Sequence, residues 1–207
     1  MPDALSFDQA ASVGVNFLAA WCGLVEAADL KEGEIALLIG AGGGVGSAAA
    51  QIARRIGARA IGADKRTPHP DAPIHTIAEK LIIDVADLAA EVRVAIDGKG
   101  ADVVFDLVGG IMFRSAVNSL AHLGRLIEIA STGQREVSFD LLDFYHNESR
   151  LLGVDTLKVD LTGSMSARHV HHPCGRHQSR SVGLHHGLIL KAPVPGPAPK
   201  GADRRPL

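Results

Sequence analysis

The chain has 207 residues, 46% of them apolar, and a formal charge of −2 from 21 basic and 23 acidic residues. That is enough apolar material for a real core, in one domain plus extra material or in two small ones, and it excludes a strongly basic nucleic-acid binder. Two distant cysteines, Cys22 and Cys174, give no disulfide framework and point to a reduced, cytoplasmic chain; neither a basic-then-apolar leader nor an uncharged apolar run of about 18 residues appears, so no signal peptide and no membrane span are expected.

From Ser6 to about Leu30 the pattern is helical, with Asp8 or Ser6 as the cap and Val13, Phe17, Ala20, Trp21 and Leu24 at three- and four-residue spacing. Ile35 to Ile39 is a short apolar run bounded by Glu34 and Gly40, which reads as a buried parallel strand. A glycine loop, Gly40 to Gly46, follows, and Ser47 to Ile56 reads as a helix. Arg59 to Ala63 is a second strand, ending at Asp64. Prolines 68, 70 and 73 argue against a long helix over 65–76. Lys80 to Ile83 is a third strand, and Val85 to Ile96 is a helix punctuated by Gly98 and Gly100. Ala101 to Leu107 is a fourth strand, Ile111 to Leu120 a helix closed by Gly124, and Arg125 to Ala130 a fifth strand. A short helix around Leu141 to Asn147 precedes a sixth strand, Arg150 to Val154.

Strands alternating with helices predict an α/β fold, a Rossmann-type doubly wound parallel sheet over 30–161. Residues 1–29 are expected to form a helical segment packed on that domain. Residues 162–207 have a different composition: seven Lys and Arg against one acid, and six of the ten histidines and six of the ten prolines. The near-neutral total is therefore a cancellation, −8 in front and +6 behind. Prolines 193, 195, 197 and 199 alternate, and the segment reads as a basic, disordered tail.

The glycine loop carries the strongest functional signal. It follows a hydrophobic strand and opens a helix, where a dinucleotide-binding crossover needs it. Counting from Ala41 gives Ala-x-Gly-x-x-Gly. Gly43 then lets a pyrophosphate approach the backbone, and Gly46 lets the helix pass close to the sheet. Gly44 and Val45 lie in the helix N-terminus that would face the diphosphate. The same glycines also suit a tight turn that binds nothing. Asp64, 18 residues beyond Gly46, stands where an acid accepts ribose hydroxyls, which favours NAD. Lys65 and Arg66 follow and suit a 2′-phosphate, so NADP stays open. Asp106 ends a buried strand ahead of Leu107-Val-Gly-Gly110. Val108 and Gly109 are placed beside the nicotinamide, as are Ala130 and Ser131 after the fifth strand; Ser131 serves equally well as a turn cap.

Five stretches now point to a family: Ala10 to Trp21, Leu30 to Glu34, the Gly40–Gly46 loop, Gly100 to Gly110, and Gly124 to Ile129. Over residues 4–161 the chain resembles the cofactor-binding half of medium-chain dehydrogenases/reductases, especially the quinone-reductase-like branch of the zinc-type alcohol dehydrogenases. The resemblance implies hydride transfer between a nicotinamide cofactor and a quinone, enone, other small carbonyl or alcohol. It also implies a homodimer paired through the sixth strand, at residues 150–156. In that family a GroES-like barrel precedes this domain and supplies much of the substrate cleft; the sequence holds no counterpart to it. The family's threonine near the nicotinamide corresponds to Ala19. After Leu157-Lys-Val-Asp160 the sequence departs from the family pattern. A non-catalytic dinucleotide-binding or interaction module is the alternative function.

Other groups carry less. His169, His171, His172, Cys174 and His177 cluster without paired ligand spacing or a surrounding core, so no metal site is expected. Arg168, Arg176 and Arg180 lack interleaved aromatics, and no nucleic-acid partner is expected. Cys22 reads as a packed small side chain, and His122 and His146 as surface histidines. Tyr145 is the one tyrosine and is a candidate for the cleft. No acid–base residue is assigned.

Overall fold

The computed structural model describes residues 6–158. The tail segment and its histidine cluster lie outside these residues. Six strands form one sheet in the order β3-β2-β1-β4-β5-β6. They are β1 (Ile35–Ile39), β2 (Arg59–Asp64), β3 (Lys80–Ile83), β4 (Ala101–Asp106), β5 (Leu120–Glu128) and β6 (Arg150–Gly153), and every pairing is parallel. The central strands read as continuous apolar runs because helices cover both faces: all five residues of β1 are buried. The order turns outward in opposite directions from β1 and β4, which leaves a crevice at their carboxyl ends.

The helices are α1 (Phe7–Trp21), α2 (Gly44–Ile56), α3 (Ile74–Ile77), α4 (Leu88–Ala95), α5 (Phe113–Asn118) and α6 (Leu141–His146). One core lies under α1 and α2. There Ala20 and Leu24 meet Ala49, Ala53, Leu38 and Phe105, with Phe17 and Trp21 at its margin. The other lies under α4 and α5, around Leu37, Ile61, Val92, Val104, Phe113 and Leu126. Small residues on α2 let it sit close to the sheet; Ala49, Ala50 and Ala53 are fully buried.

Several boundaries differ from the sequence reading. Ser6, not Asp8, caps α1, in a reciprocal pair with Gln9. A π-helical turn, Cys22–Ala27, continues α1 and begins at the half-buried Cys22. Together Phe7–Ala27 forms 21 helical residues, long and apolar enough by length and composition to cross a membrane, while the uncharged stretch from Gln9 to Val25 stays short of 18 residues. Asp8 and Glu26 lie near its two ends, and its Ala20 and Leu24 are spent in the core with α2.

Helix α2 starts at Gly44, three residues earlier than the sequence suggested. Only one turn, α3, forms around the end of 65–76. The sequence-read helix at 85–96 shrinks to α4, because Asp87 accepts from the Ala90 N–H and fixes the start. The helix at 111–120 splits into a 3-10 turn, Gly110–Met112, and α5. Strand β5 begins at Leu120 rather than Arg125, with an irregularity in its pairing to β4 between Ala101 and Val103. Leu123 adopts a positive φ of 63° in that irregular stretch, so the sequence signal at Gly124 reads as a turn although the ladder has already begun.

Candidate functional site

The β1 backbone runs out at Ile39, and Gly40 and Ala41 then donate their N–H groups to the Ala63 carbonyl of β2 at 2.8 and 3.2 Å. This fastens the loop across two strand ends. Gly43 donates to the Gly40 carbonyl at 3.1 Å and stands as the extended residue ahead of α2. Gly46 makes the close approach: a Cβ there would lie 2.4 Å from Gly40 O and 2.7 Å from Ala41 Cα. No L side chain fits, so the helix starts against the loop it leaves. Val45 is half-buried on this first turn, whereas Gly43 and Gly44 are exposed. Four N–H groups at the start of a helix have no partner within it, and they give the loop a positive end.

Asp64 closes the far side of the loop. Its Oδ2 accepts the Gly42 N–H at 2.9 Å, and its Oδ1 accepts the Arg66 N–H at 3.3 Å. A carboxylate offers about four lone-pair sites, so two N–H bonds leave it acceptor capacity. Lys65 and Arg66 are exposed beside it. A cleft of about 290 Å³ opens here, at the carboxyl ends of β1, β2 and β4. Asp64, Lys65 and Gly40 form its polar side, and Val108, Ile111 and Met112 face them.

The loops after β4 and β5 are joined. Asp106 is fully buried; its Oδ1 accepts the N–H groups of Val108 at 2.9 Å and Gly109 at 2.8 Å. Thr132 donates to the Val108 carbonyl at 2.8 Å. Gly109 has φ 62° and ψ −163°, a region only glycine occupies readily, and a Cβ on it would stand 1.9 Å from Ala130 O. Val108, Gly109, Ala130 and Ser131 thus form one unit. The Ser131 hydroxyl donates to the Gln134 carbonyl at 2.8 Å and so caps its turn.

Two groups escaped the sequence reading. The Asn16 carboxamide, on α1, lies against Gly44: its Nδ2 and Oδ1 would be 2.7 and 2.8 Å from a Cβ there. Glu128, at the end of β5, is the register partner of Asp106. Burial, reinforced by the Asp106 charge and a hydrogen bond to that carboxyl, pushes the Glu128 carboxyl up to about 8. Burial also raises Asp106, against the Gly109 and Val108 N–H donors that favour its ionised form. A carboxyl at one strand end and another at its neighbour's was the available signal; only the parallel register brings them together.

Tyr145 is not in the cleft. It is exposed on α6, with its ring 4.6 Å from that of His146. His122 is exposed and 3.5 Å from Glu148. A larger groove, about 640 Å³, lies between α4, α5 and α6 and is lined by Arg93, Asn118, Asp143 and His146. It reaches the start of β5, away from the glycine loop, so its size does not make it the better candidate. Among the described residues, no three His, Cys, Asp or Glu side chains converge on a place that could hold a metal ion.

The family model of the zinc-binding dehydrogenases matches residues 44–167. A zinc-type alcohol dehydrogenase-like protein of Schizosaccharomyces pombe is 36% identical over 169 residues, which cover 80% of this chain and 48% of that protein. A quinone oxidoreductase of Sus scrofa is 30% identical over 142 residues, 67% of this chain and 42% of that one. Among solved structures, the quinone oxidoreductase from Thermus thermophilus, described with its NADPH complex, superposes with a TM-score of 0.63 at 30% identity. The match covers 74% of this chain and 48% of that chain. The chain therefore spans about half the length of the curated relatives it matches.

Proposed function

This chain belongs to the zinc-binding dehydrogenase family, and from that premise we propose that it binds a nicotinamide dinucleotide, NAD or NADP, and serves hydride transfer to or from a small carbonyl, quinone or alcohol. The observation that carries the reading is the β1–loop–α2 junction, where Gly46 leaves no room for a side chain and Asp64 closes the loop. The residues present fit the cofactor. The N–H groups of Gly44, Val45 and Gly46 suit a diphosphate at a helix start, and Gly43, its own N–H bonded to the Gly40 carbonyl, lets the diphosphate approach the backbone. Asp64 retains acceptor capacity for ribose hydroxyls, and Lys65 beside it suits a 2′-phosphate. The apolar wall of Val108, Ile111 and Met112 suits a flat heterocycle and keeps water from it. Val108, Gly109, Ala130 and Ser131 would flank the nicotinamide. The bound nicotinamide would supply or take up the hydride, and this chain's part is orientation and enclosure. Zinc is given no role here, for want of a ligand set among the described residues.

A second reading is a dinucleotide-binding module without catalysis. It is favoured by the chain's coverage of only 42% and 48% of its relatives. A homodimer paired along β6, one of the two edges of the sheet among the described residues, and a cytoplasmic location belong to the first reading.

Fluorescence titration with NADH and NADPH tests both. Saturable binding is expected, with Asp64→Ala weakening NADH more than NADPH. No binding of either cofactor would reject the proposal. Turnover of a quinone or enone by the chain separates the two readings: activity supports the first, and binding without turnover the second.

A further inference from the structure

The carboxyl pair at the ends of β4 and β5 has no role in the reading above. Asp106 is fully buried, and its Oδ2 meets no N–H donor among the described residues; the same holds for the buried Oε1 of Glu128. Parallel register sets Asp106 and Glu128 side by side at the ends of β4 and β5, and a side-chain hydrogen bond links their carboxyl groups. Two ionised carboxylates repel and cannot form that bond, so it needs one proton between them. Asp106 is the natural acceptor. Its Oδ1 already receives the Val108 and Gly109 N–H groups at 2.9 and 2.8 Å, which favours negative charge there. Glu128 therefore carries the proton.

The surroundings leave this pair electrically alone. β4 contributes Asp106 itself, β6 contributes Gly153, and Val154 just beyond it donates its backbone N–H to the Glu128 carbonyl at 2.9 Å. On β5, Arg125 is committed to Glu34. In the π-helical turn, Glu26 is exposed and accepts from the Trp21 indole at 3.0 Å. Among the described residues, no cation offsets a second negative charge on the pair.

We propose that Asp106 and Glu128 are a proton-sharing positioning pair that holds the Val108–Gly109 turn against the Ala130–Ser131 segment, so that the nicotinamide side of the cleft is formed only while Glu128 is protonated. The mechanical link is short. Asp106 anchors the turn through two N–H bonds, and Gly109 packs so closely on Ala130 that little movement is tolerated. A second charge beside Asp106 is relieved by moving that carboxylate, and the turn moves with it. The inference rests on the dinucleotide reading.

The test is an NADH titration of the full chain and of Glu128→Gln between about pH 6 and 9.5, a range that spans the Glu128 titration. Gln keeps a hydrogen-bond donor for Asp106 but does not titrate. The wild-type affinity is expected to be level up to about pH 7 and about tenfold weaker by pH 9, as the competent fraction falls; the variant should stay level throughout. A level wild-type affinity, or the same fall in the variant, overturns the role while leaving the dinucleotide reading intact. Absence of binding at every pH overturns the reading and this role with it. Should the variant fail to fold, infrared spectroscopy of the wild type decides. A protonated carboxylic acid band present at about pH 7 and lost as pH rises through about 8 supports the pair, and its absence at pH 7 refutes it.

Discussion

Replacing Gly46 with alanine tests whether the loop and helix are as tightly joined as their geometry states. The new methyl group would stand 2.4 Å from Gly40 O, and 2.7 Å from both Ala41 Cα and Ala41 O. All three atoms are backbone, so no side chain can swing away. Ordinary contact would require α2 to move by about 1 Å, yet its next residues, Ser47 to Ala50, are buried. Overpacking of this kind costs about 1–3 kcal/mol. At about 2 kcal/mol the folded-to-unfolded ratio falls roughly 30-fold, and with a urea slope of about 2 kcal/mol/M the midpoint falls by about 1 M. Urea unfolding followed by far-ultraviolet circular dichroism reads this directly. Gly43→Ala is the internal control. Its Cβ would meet nothing closer than 3.4 Å, and its φ is −75°, so its midpoint should move by less than half as much. If Gly46→Ala unfolds at the wild-type midpoint, the close approach is not real and the fingerprint reading of the loop loses its physical basis.

Other perturbations have equally definite outcomes. Gly109→Ala must both leave a glycine-only conformation and clear Ala130 O, so it should lose about 2–4 kcal/mol in the same unfolding assay. Gly14→Ala, in an exposed part of α1 with nothing within 4 Å of the new Cβ, should gain about 0.5–1 kcal/mol. Arg125→Ala leaves Glu34 without the 2.6 Å bond that ties the start of β1 to β5, and should cost roughly 1–3 kcal/mol. Stability should also depend on pH through Glu128. Its carboxyl titrates near 8 when folded and near 4.5 when free, so the folded state holds the extra proton between those values. The contribution is full below about pH 4.5 and is lost as pH rises through 8. Glu128→Gln should flatten that part of the midpoint-against-pH curve, and an unchanged slope would show that another group is responsible.

The sheet was legible because its signal is local. Ile35–Ile39 and Lys80–Ile83 are apolar or near-apolar runs between turn residues, and both strands formed with the residues read from the sequence. Helix starts were less legible. Gly44, Val45 and Gly46 have poor helix propensity, but packing against Gly40 and Ala41 brings them into α2. The start of β5 was hidden by Leu123 and Gly124, which read as a turn inside an irregular ladder.

At the site, the glycine loop and Asp64 were visible by spacing. Ser131 showed the turn-capping alternative when its hydroxyl bonded to Gln134. Glu128 and Asn16 were invisible for a different reason. Each is an ordinary polar residue in its own element and gains meaning only from a partner in another one: Asp106 through the parallel register, and Gly44 through the packing of α1 on α2.

The central claim, that this carboxyl edge receives a nicotinamide dinucleotide, is tested most directly by mapping backbone amide resonances during an NADH titration. Saturable shifts should concentrate at Gly42–Ser47, Asp64–Arg66 and Val108–Gly110, with the α4–α6 groove around Arg93 and His146 unaffected. No saturable shifts, or shifts centred on that groove, would contradict the account.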